Sequence, residues 1–283
     1  MQYTTYERAT LFKEETFPTL LEKEAENNLI IGNILKLEKE PLEGSFMATV
    51  KDDEKALQVV VVCTPPFSMC IYTTPWAKAH DALNFLAKTF CEYKINVPGV
   101  IGTSETVEAF SAFYGAYTGY HPKVKANLKG YKLTKVNPLP QVSGQLTLAT
   151  LQDIYYLPYW QLGFREACHM SLPDFMTTVE MVERSVAHES LYVWKDEKPV
   201  SMAGKAKVLV NGIVVGQVYT PAHFRGHHYA TACVGALSQK LLNEGHQFVA
   251  LFAEQDNPIS NKIYQAIGYQ FIGYVKDIHF TKN

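Results

Sequence analysis

The sequence predicts a mixed α/β (α+β) protein built as two similarly ordered halves. Three observations predict it. Strand-like and helical runs in the last third follow the order strands, helix, strand, helix, strand. The first half has a similar coarse order, with no exact sequence repeat. The chain has 283 residues, 47% of them hydrophobic and 19% charged, the balance of one large or two ordinary folded domains. That balance excludes a disordered chain, a collagen-like repeat and a long coiled coil.

From the N-terminus, residues 17–35 carry an ambiguous helical pattern. Strands are predicted over Phe46–Val50, Leu57–Cys63 and Ser68–Tyr72, with Lys51–Glu54 as the polar turn between the first two. Ala79–Tyr93 reads as an amphipathic helix with Ala82, Phe85, Leu86 and Phe90 on one face. After a break at Val97–Gly102, Ser104 caps a helix over Glu105–Tyr114 that stops at Gly115 or Gly119. Tyr131–Val136 is a strand. Residues 137–144 combine Pro, Gly, Ser and Asn and are the best linker, so the predicted halves are 1–140 and 145–283.

Helical patterns fill 147–188, and Leu191–Trp194 is a strand. Lys195–Lys198 turns the chain into strands Pro199–Val210 and Gly212–Tyr219, hinged at the hairpin dipeptide Asn211-Gly212. A helix then places Ala230, Cys233, Val234, Leu237 and Leu241 at helical spacing and stops at Gly245. Phe248–Phe252 is a strand. Asn257 caps, and Pro258 begins, a short helix ending at Gly268. On that helix Ile259, Ile263 and Ile267 form an apolar stripe, and a second stripe carries Asn257, Ser260 or Asn261, and Tyr264 away from the core. Tyr269–Ile278 closes the chain as a strand.

Charge and cysteine usage narrow the function classes. Twenty-six Lys and Arg against 28 Asp and Glu leave a net charge of -2. No basic excess neutralises phosphates and no cationic block addresses a membrane, so neither a nucleic acid nor a membrane is an expected partner. Five scattered cysteines without a C-x-x-C pair suit free thiols in a reducing cytoplasm. The first residues lack the positive start and apolar stretch of a signal peptide. The strongest apolar run, Val59–Cys63, is far short of the ~20 residues that span a bilayer.

The chemistry concentrates after Gly212–Tyr219. Thr220-Pro221 ends that strand, and Phe224-Arg225-Gly226-His227-His228-Tyr229-Ala230 leads into a helix. Such a strand-to-helix turn aims free backbone N–H groups, together with the positive helix end, at one spot that suits a pyrophosphate. Arg225 adds charge, and Gly226 lets an anion approach the backbone. His223, His227 and His228 lack the geometry of a third ligand, so no metal is expected.

Residues 191–280 resemble the GNAT N-acetyltransferase superfamily. The resemblance rests on Val218-Tyr219-Thr220-Pro221, on Arg225-Gly226-His227-His228-Tyr229-Ala230, and on Asn257-Pro258-Ile259-Ser260-Asn261-Lys262-Ile263-Tyr264 with Ile267-Gly268-Tyr269. Val97-Pro98-Gly99-Val100 and its flanking helices are similar, more loosely, to the first half of two-part members. The resemblance implies a degenerate GNAT-like half over 1–140 and a catalytic GNAT half over 145–283. In one departure, His228 stands where the family loop has an inner Gly, and His is among the better-tolerated residues at positive φ.

The implied activity is acetyl-CoA-dependent N-acetyl transfer, without metal, to a small-molecule amine or a protein amino group. The resemblance gives the acetyl carbonyl to the backbone amides of Gln217-Val218-Tyr219, Val218 first among them, and makes Tyr264 the acid for the leaving thiolate. It implies cofactor contacts at Val218, Tyr219, Thr220, Arg225, Gly226, His227, His228, Tyr229, Ala230, Asn257, Ser260, Asn261 and Tyr264. Many relatives place a Glu on the strand before the loop, but Asn211–Tyr219 holds no carboxylate. Glu189, Glu254, Asp256, His223 and a water chain stay open as the base. The alternative is a catalytically silent CoA-binding or protein-interaction module on the same fold.

Overall fold

The computed structural model describes residues 1–74 and 76–282. In chain order the elements are β1 (Gln2–Thr5), α1 (Ala9–Leu20), α2 (Asn28–Lys39), β2 (Phe46–Lys51), β3 (Leu57–Cys63), β4 (Met69–Thr73), α3 (Trp76–Glu92), β5 (Gly99–Thr103), α4 (Ser104–Thr118) and β6 (His121–Leu133). They continue with β7 (Gln145–Leu148), α5 (Leu157–Ala167), α6 (Phe175–Ala187), β8 (Leu191–Asp196), β9 (Lys198–Val208), β10 (Gly212–Tyr219), α7 (Tyr229–Asn243), β11 (Phe248–Glu254), α8 (Pro258–Ile267) and β12 (Gln270–Thr281). The second series repeats the first element for element. The mixed α/β class is therefore realised as two like-ordered halves.

The chain forms two compact units, Met1–Gly130 with Ile272–Asn283, and Tyr131–Phe271. In the first, β1 to β4 form an antiparallel meander, and β5 joins β4 in parallel through the crossover helix α3. Beside β5 runs β12, antiparallel, with Val275 opposite Thr103 and His279 opposite Gly99. Val59, Val61, Phe90, Phe110 and Ile278 meet in this unit's core. In the second, β7 to β10 form the antiparallel meander and β11 joins β10 in parallel through α7. One face of its sheet packs on α7 and α8 through Ile213, Val215, Val234, Leu237, Val249 and Leu251. The other packs on α5 and α6 through Leu157, Val182, Val193 and Met202.

Three local readings change in the structure. The ambiguous stretch 17–35 is the end of α1 and most of α2, and Pro18 inside α1 weakens its helical signal. Residues 137–144 are no loose linker. Leu139 and Val142 pack on the α7 core, and the Asn137 amide donates to Ile267 O at 2.8 Å. Gly235 on α7 has no side chain to displace Leu139, which a Cβ there would strike. The unit boundaries fall instead within β6 and β12, because β12 pairs with β5. None of the five cysteines is joined in a disulfide. Among the described residues no helix is long and apolar enough to cross a membrane.

Candidate active site

The site begins where two parallel strands part. The ladder between β10 and β11 ends at Val214 opposite Ala250, yet β10 continues to Tyr219 and β11 to Glu254. On its other edge β10 bulges against β9: between Gly216 opposite Gly204 and Tyr219 opposite Met202, Gln217 and Val218 face Ala203 alone. Such a bulge takes backbone polar groups out of the regular ladder and bends the strand. Gln217 sits at a φ of 53°, and a Cβ on Gly204 would lie 2.5 Å from its Oε1. Val218 is therefore on the bulged segment, beside the gap.

The turn into α7 is built for free amides. Gly226 and His228 take positive φ of 85° and 60°. His228 is the N-cap residue and supplies no side-chain acceptor. The first amides of any helix have no partner within the helix, so those at 229–231 stay available. His228 thus occupies the left-handed region that the missing glycine would favour. Arg225 Nε donates to Thr220 O at 3.0 Å, which folds its guanidinium back over the turn. Thr220 Oγ1 lies 2.9 Å from Ser201 Oγ, stitching the end of β10 to β9. The Tyr229 hydroxyl donates to Asp196 at 2.6 Å, so that side chain anchors the helix start rather than facing a ligand. Its hydrogen bond, and one from Ser143, hold the Asp196 carboxyl below its ordinary pKa. His227 is exposed on the same turn, Ala230 is half-buried, and the buried face of α7 begins at Thr231.

The helix α8 differs most from its sequence reading. Its buried side chains are Asn261, Tyr264 and Ile267, whereas Ile259 is 71% exposed. Tyr264 points into the unit, 7% exposed, with its ring 6.2 Å from Tyr131 and 6.0 Å from Tyr269. An apolar count misses this because Asn261 buries without an unmet hydrogen bond. Its Nδ2 donates to the carbonyls of Glu254 (3.0 Å) and Asn257 (2.7 Å), and its Oδ1 accepts from Tyr131 at 2.7 Å. Asn257 caps α8 by accepting from the Ser260 amide at 3.0 Å. The polar atoms of Asn261 and the Ser260 amide are thus committed to the fold rather than to a cofactor arm.

Tyr264 keeps a chemical handle. Among the described residues its hydroxyl meets no hydrogen-bond partner, and burial pushes its pKa well above the ordinary value, with Cys168 and Tyr131 adding to the rise. Cys168 caps the C-terminal end of α5; burial and the nearby Glu254 carboxylate push its thiol up to about 11. Sequence reasoning missed this approach of α5. Its signal was Gly163 inside a helical pattern, where a Cβ would lie 2.5 Å from the Tyr219 hydroxyl. The glycine lets α5 close on the end of β10.

Two parallel strands that part beside a bulge, with a helix starting at the gap, decide the architecture. The chain takes the GNAT fold. Residues 196–276 match the family described as FR47-like protein. Across the whole chain the GNAT fold is shared with a GCN5-related N-acetyltransferase from Sphaerobacter thermophilus, at 13% identity, covering 98% of this chain and 94% of that one, with a TM-score of 0.62. A GNAT-family acetyltransferase from Colwellia psychrerythraea is similar at 12% identity over 100% of both chains, with a TM-score of 0.59. A tandem GNAT protein from the clavulanic acid biosynthesis pathway is similar at 10% identity, over 99% of this chain and 98% of that one, with a TM-score of 0.54. The comparison with curated proteins finds no match. At these identities the likeness shows the fold alone.

Proposed function

We propose that the chain is an acetyl-CoA-dependent N-acetyltransferase whose reaction takes place in the unit Tyr131–Phe271. The reading is carried by the parting of β10 and β11 beyond Val214 and Ala250, with the uncapped start of α7 at its mouth. The amides at 226–231, the helix dipole and Arg225 hold the pyrophosphate of CoA. The thioester lies in the gap, and the Val218 amide donates to its carbonyl oxygen as negative charge develops there. A primary amine, of a small molecule or a protein, attacks the carbonyl carbon, the C–N bond forms and the C–S bond breaks. Tyr264 gives its proton to the departing thiolate. Its raised pKa keeps the phenol protonated through neutral pH, so the proton is in place when the thiolate forms. No nucleic acid takes part, and the first unit carries no equivalent phosphate loop in its sequence. A catalytically silent CoA binder is the alternative that the experiment separates.

Titration calorimetry with CoA, and thiol release from acetyl-CoA with an amine panel, test the reading. The intact chain is expected to bind CoA and to release thiol. Arg225→Glu is expected to weaken CoA binding about tenfold or more by placing a like charge beside the pyrophosphate. CoA binding without thiol release for any amine would identify the silent binder.

A further inference from the structure

We infer that Glu254 is the catalytic base that takes the proton of the attacking amine, a role that rests on the acyl-transfer reading above. The placement follows from strand register. From the last ladder pair, Val214 opposite Ala250, both strands advance by the same number of residues, β10 to Val218 and β11 to Glu254. The bulge at Gln217–Val218 shortens the advance of β10, so the amide proposed for the acetyl oxygen and the Glu254 carboxylate stand within about one residue of the same height on the two sides of the gap.

The pleat sets the direction of that side chain. Val249, Leu251 and Ala253 bury against α7, so Glu254 projects to the opposite face, where α5 ends. The Glu254 charge adds to the rise that burial gives the Cys168 thiol at that helix end, in keeping with that direction. An amine arriving on the α5 side meets the carboxylate, while the cofactor arrives from the α7 side.

The main chain at Glu254 is held still. Its carbonyl accepts from buried Asn261, which also grips Gln255 and Asn257 and is itself held by Tyr131. Among the described residues the carboxylate makes no hydrogen bond or ion pair, so its oxygens are open to a substrate. Asn261 is thus a positioning residue for the base.

The other carboxylates and the histidine are misplaced. Glu189 acts on Lys240 near the C-terminal end of α7, about 20 Å along the helix from the loop. Asp256 is exposed in the turn after β11, and the exposed His223 stacks on Phe224 with ring centres 4.0 Å apart. The titratable groups brought to this strand end are Cys168 from α5, Tyr264 from α8, Tyr131 from β6 and Tyr219 from β10; α7 offers the buried Cys233. The Cys168 thiol keeps its proton at neutral pH and so competes neither as base nor as nucleophile.

The protons balance. A bound ammonium gives one proton to Glu254, and the resulting amine forms the C–N bond. Collapse breaks the C–S bond, and Tyr264 protonates the thiolate. The second nitrogen proton returns through solvent to the phenolate, and Glu254 releases its own to water. The sum is ammonium plus thioester giving amide, thiol and one proton.

The test follows thiol release from acetyl-CoA by the intact chain between about pH 6 and 9. Putrescine, tyramine, glucosamine and lysine amide serve as separate acceptors, and water alone serves as a further one. With any acceptor that turns over, Glu254→Gln is expected to lower kcat roughly 10²-fold or more with KM for acetyl-CoA unchanged. Its rate should then follow the neutral amine, rising about tenfold per pH unit below the acceptor's own pKa and levelling above it, where the parent profile is flat. Glu254→Asp should recover part of the rate and restore the flat profile. Turnover by Glu254→Gln with the parent's pH profile overturns the assignment and leaves the acyl-transfer reading standing. No thiol release by the parent with any amine or water overturns both, and calorimetry with CoA then shows whether cofactor binding survives.

Discussion

Burial raises the pKa of the Tyr264 phenol. Removed from water, its phenolate form is disfavoured, so the proton stays on oxygen across the neutral range, which is the form the proposed acid role requires. Tyr264→Phe keeps the ring packing against Tyr131 and Tyr269. It is expected to lower kcat roughly 10²-fold while leaving CoA affinity and thermal stability close to the parent. Steady-state kinetics with calorimetry checks this, and an unchanged kcat would remove the acid role. Tyr264 was singled out from its motif, but its direction was misread. The isoleucine stripe suggested a polar outer face, whereas three hydrogen-bonded contacts let Asn261 enter the core and bring Tyr264 with it. His228 is the opposite case. The sequence permits a histidine at positive φ, and the structure places it there.

At the scale of elements, α8 and the end of β11 act as one piece, joined through Asn261. Asn261→Ala would remove the side-chain hydrogen bonds to the carbonyls of Glu254, Gln255 and Asn257 and the one accepted from the Tyr131 hydroxyl. The expected cost is about 3 kcal/mol of stability, read from denaturant midpoints at unchanged slope. Activity should fall beyond the folded fraction, because the strand end carrying Glu254 loses its anchor. The elements themselves were largely legible. The βαβ order, the Asn211-Gly212 hairpin and the Asn257-Pro258 helix start are local signals written in turn chemistry and capping. The bulge at Gln217–Val218 was not, since it depends on which residues of β9 oppose it.

Over the whole molecule, the repeated element order and the division into units do not coincide in the chain. The closing strand β12 completes the first unit's sheet against β5 and contributes Ile278 to its core. Ser68 Oγ donates to Asp277 at 2.6 Å, and Lys276 pairs with Glu108, within that same unit. Ending the chain after Phe271 is therefore expected to unfold the first unit. Hydrogen-exchange protection should vanish from β5 and α4 and persist in α7 and β10. Loss of protection in α7 instead would contradict this division.

Composition, spacing and turn residues carried the mixed α/β class and the loop that starts α7 and only suggested a duplicated order of elements, because those properties are carried by neighbours along the chain. Which strand closes which unit, which face of α8 is buried, and which carboxylate stands across the gap from Val218 were decided only in three dimensions. Each depends on contacts between residues far apart in sequence, such as β12 with β5 or Tyr131 with Asn261, and no local pattern encodes such a partner.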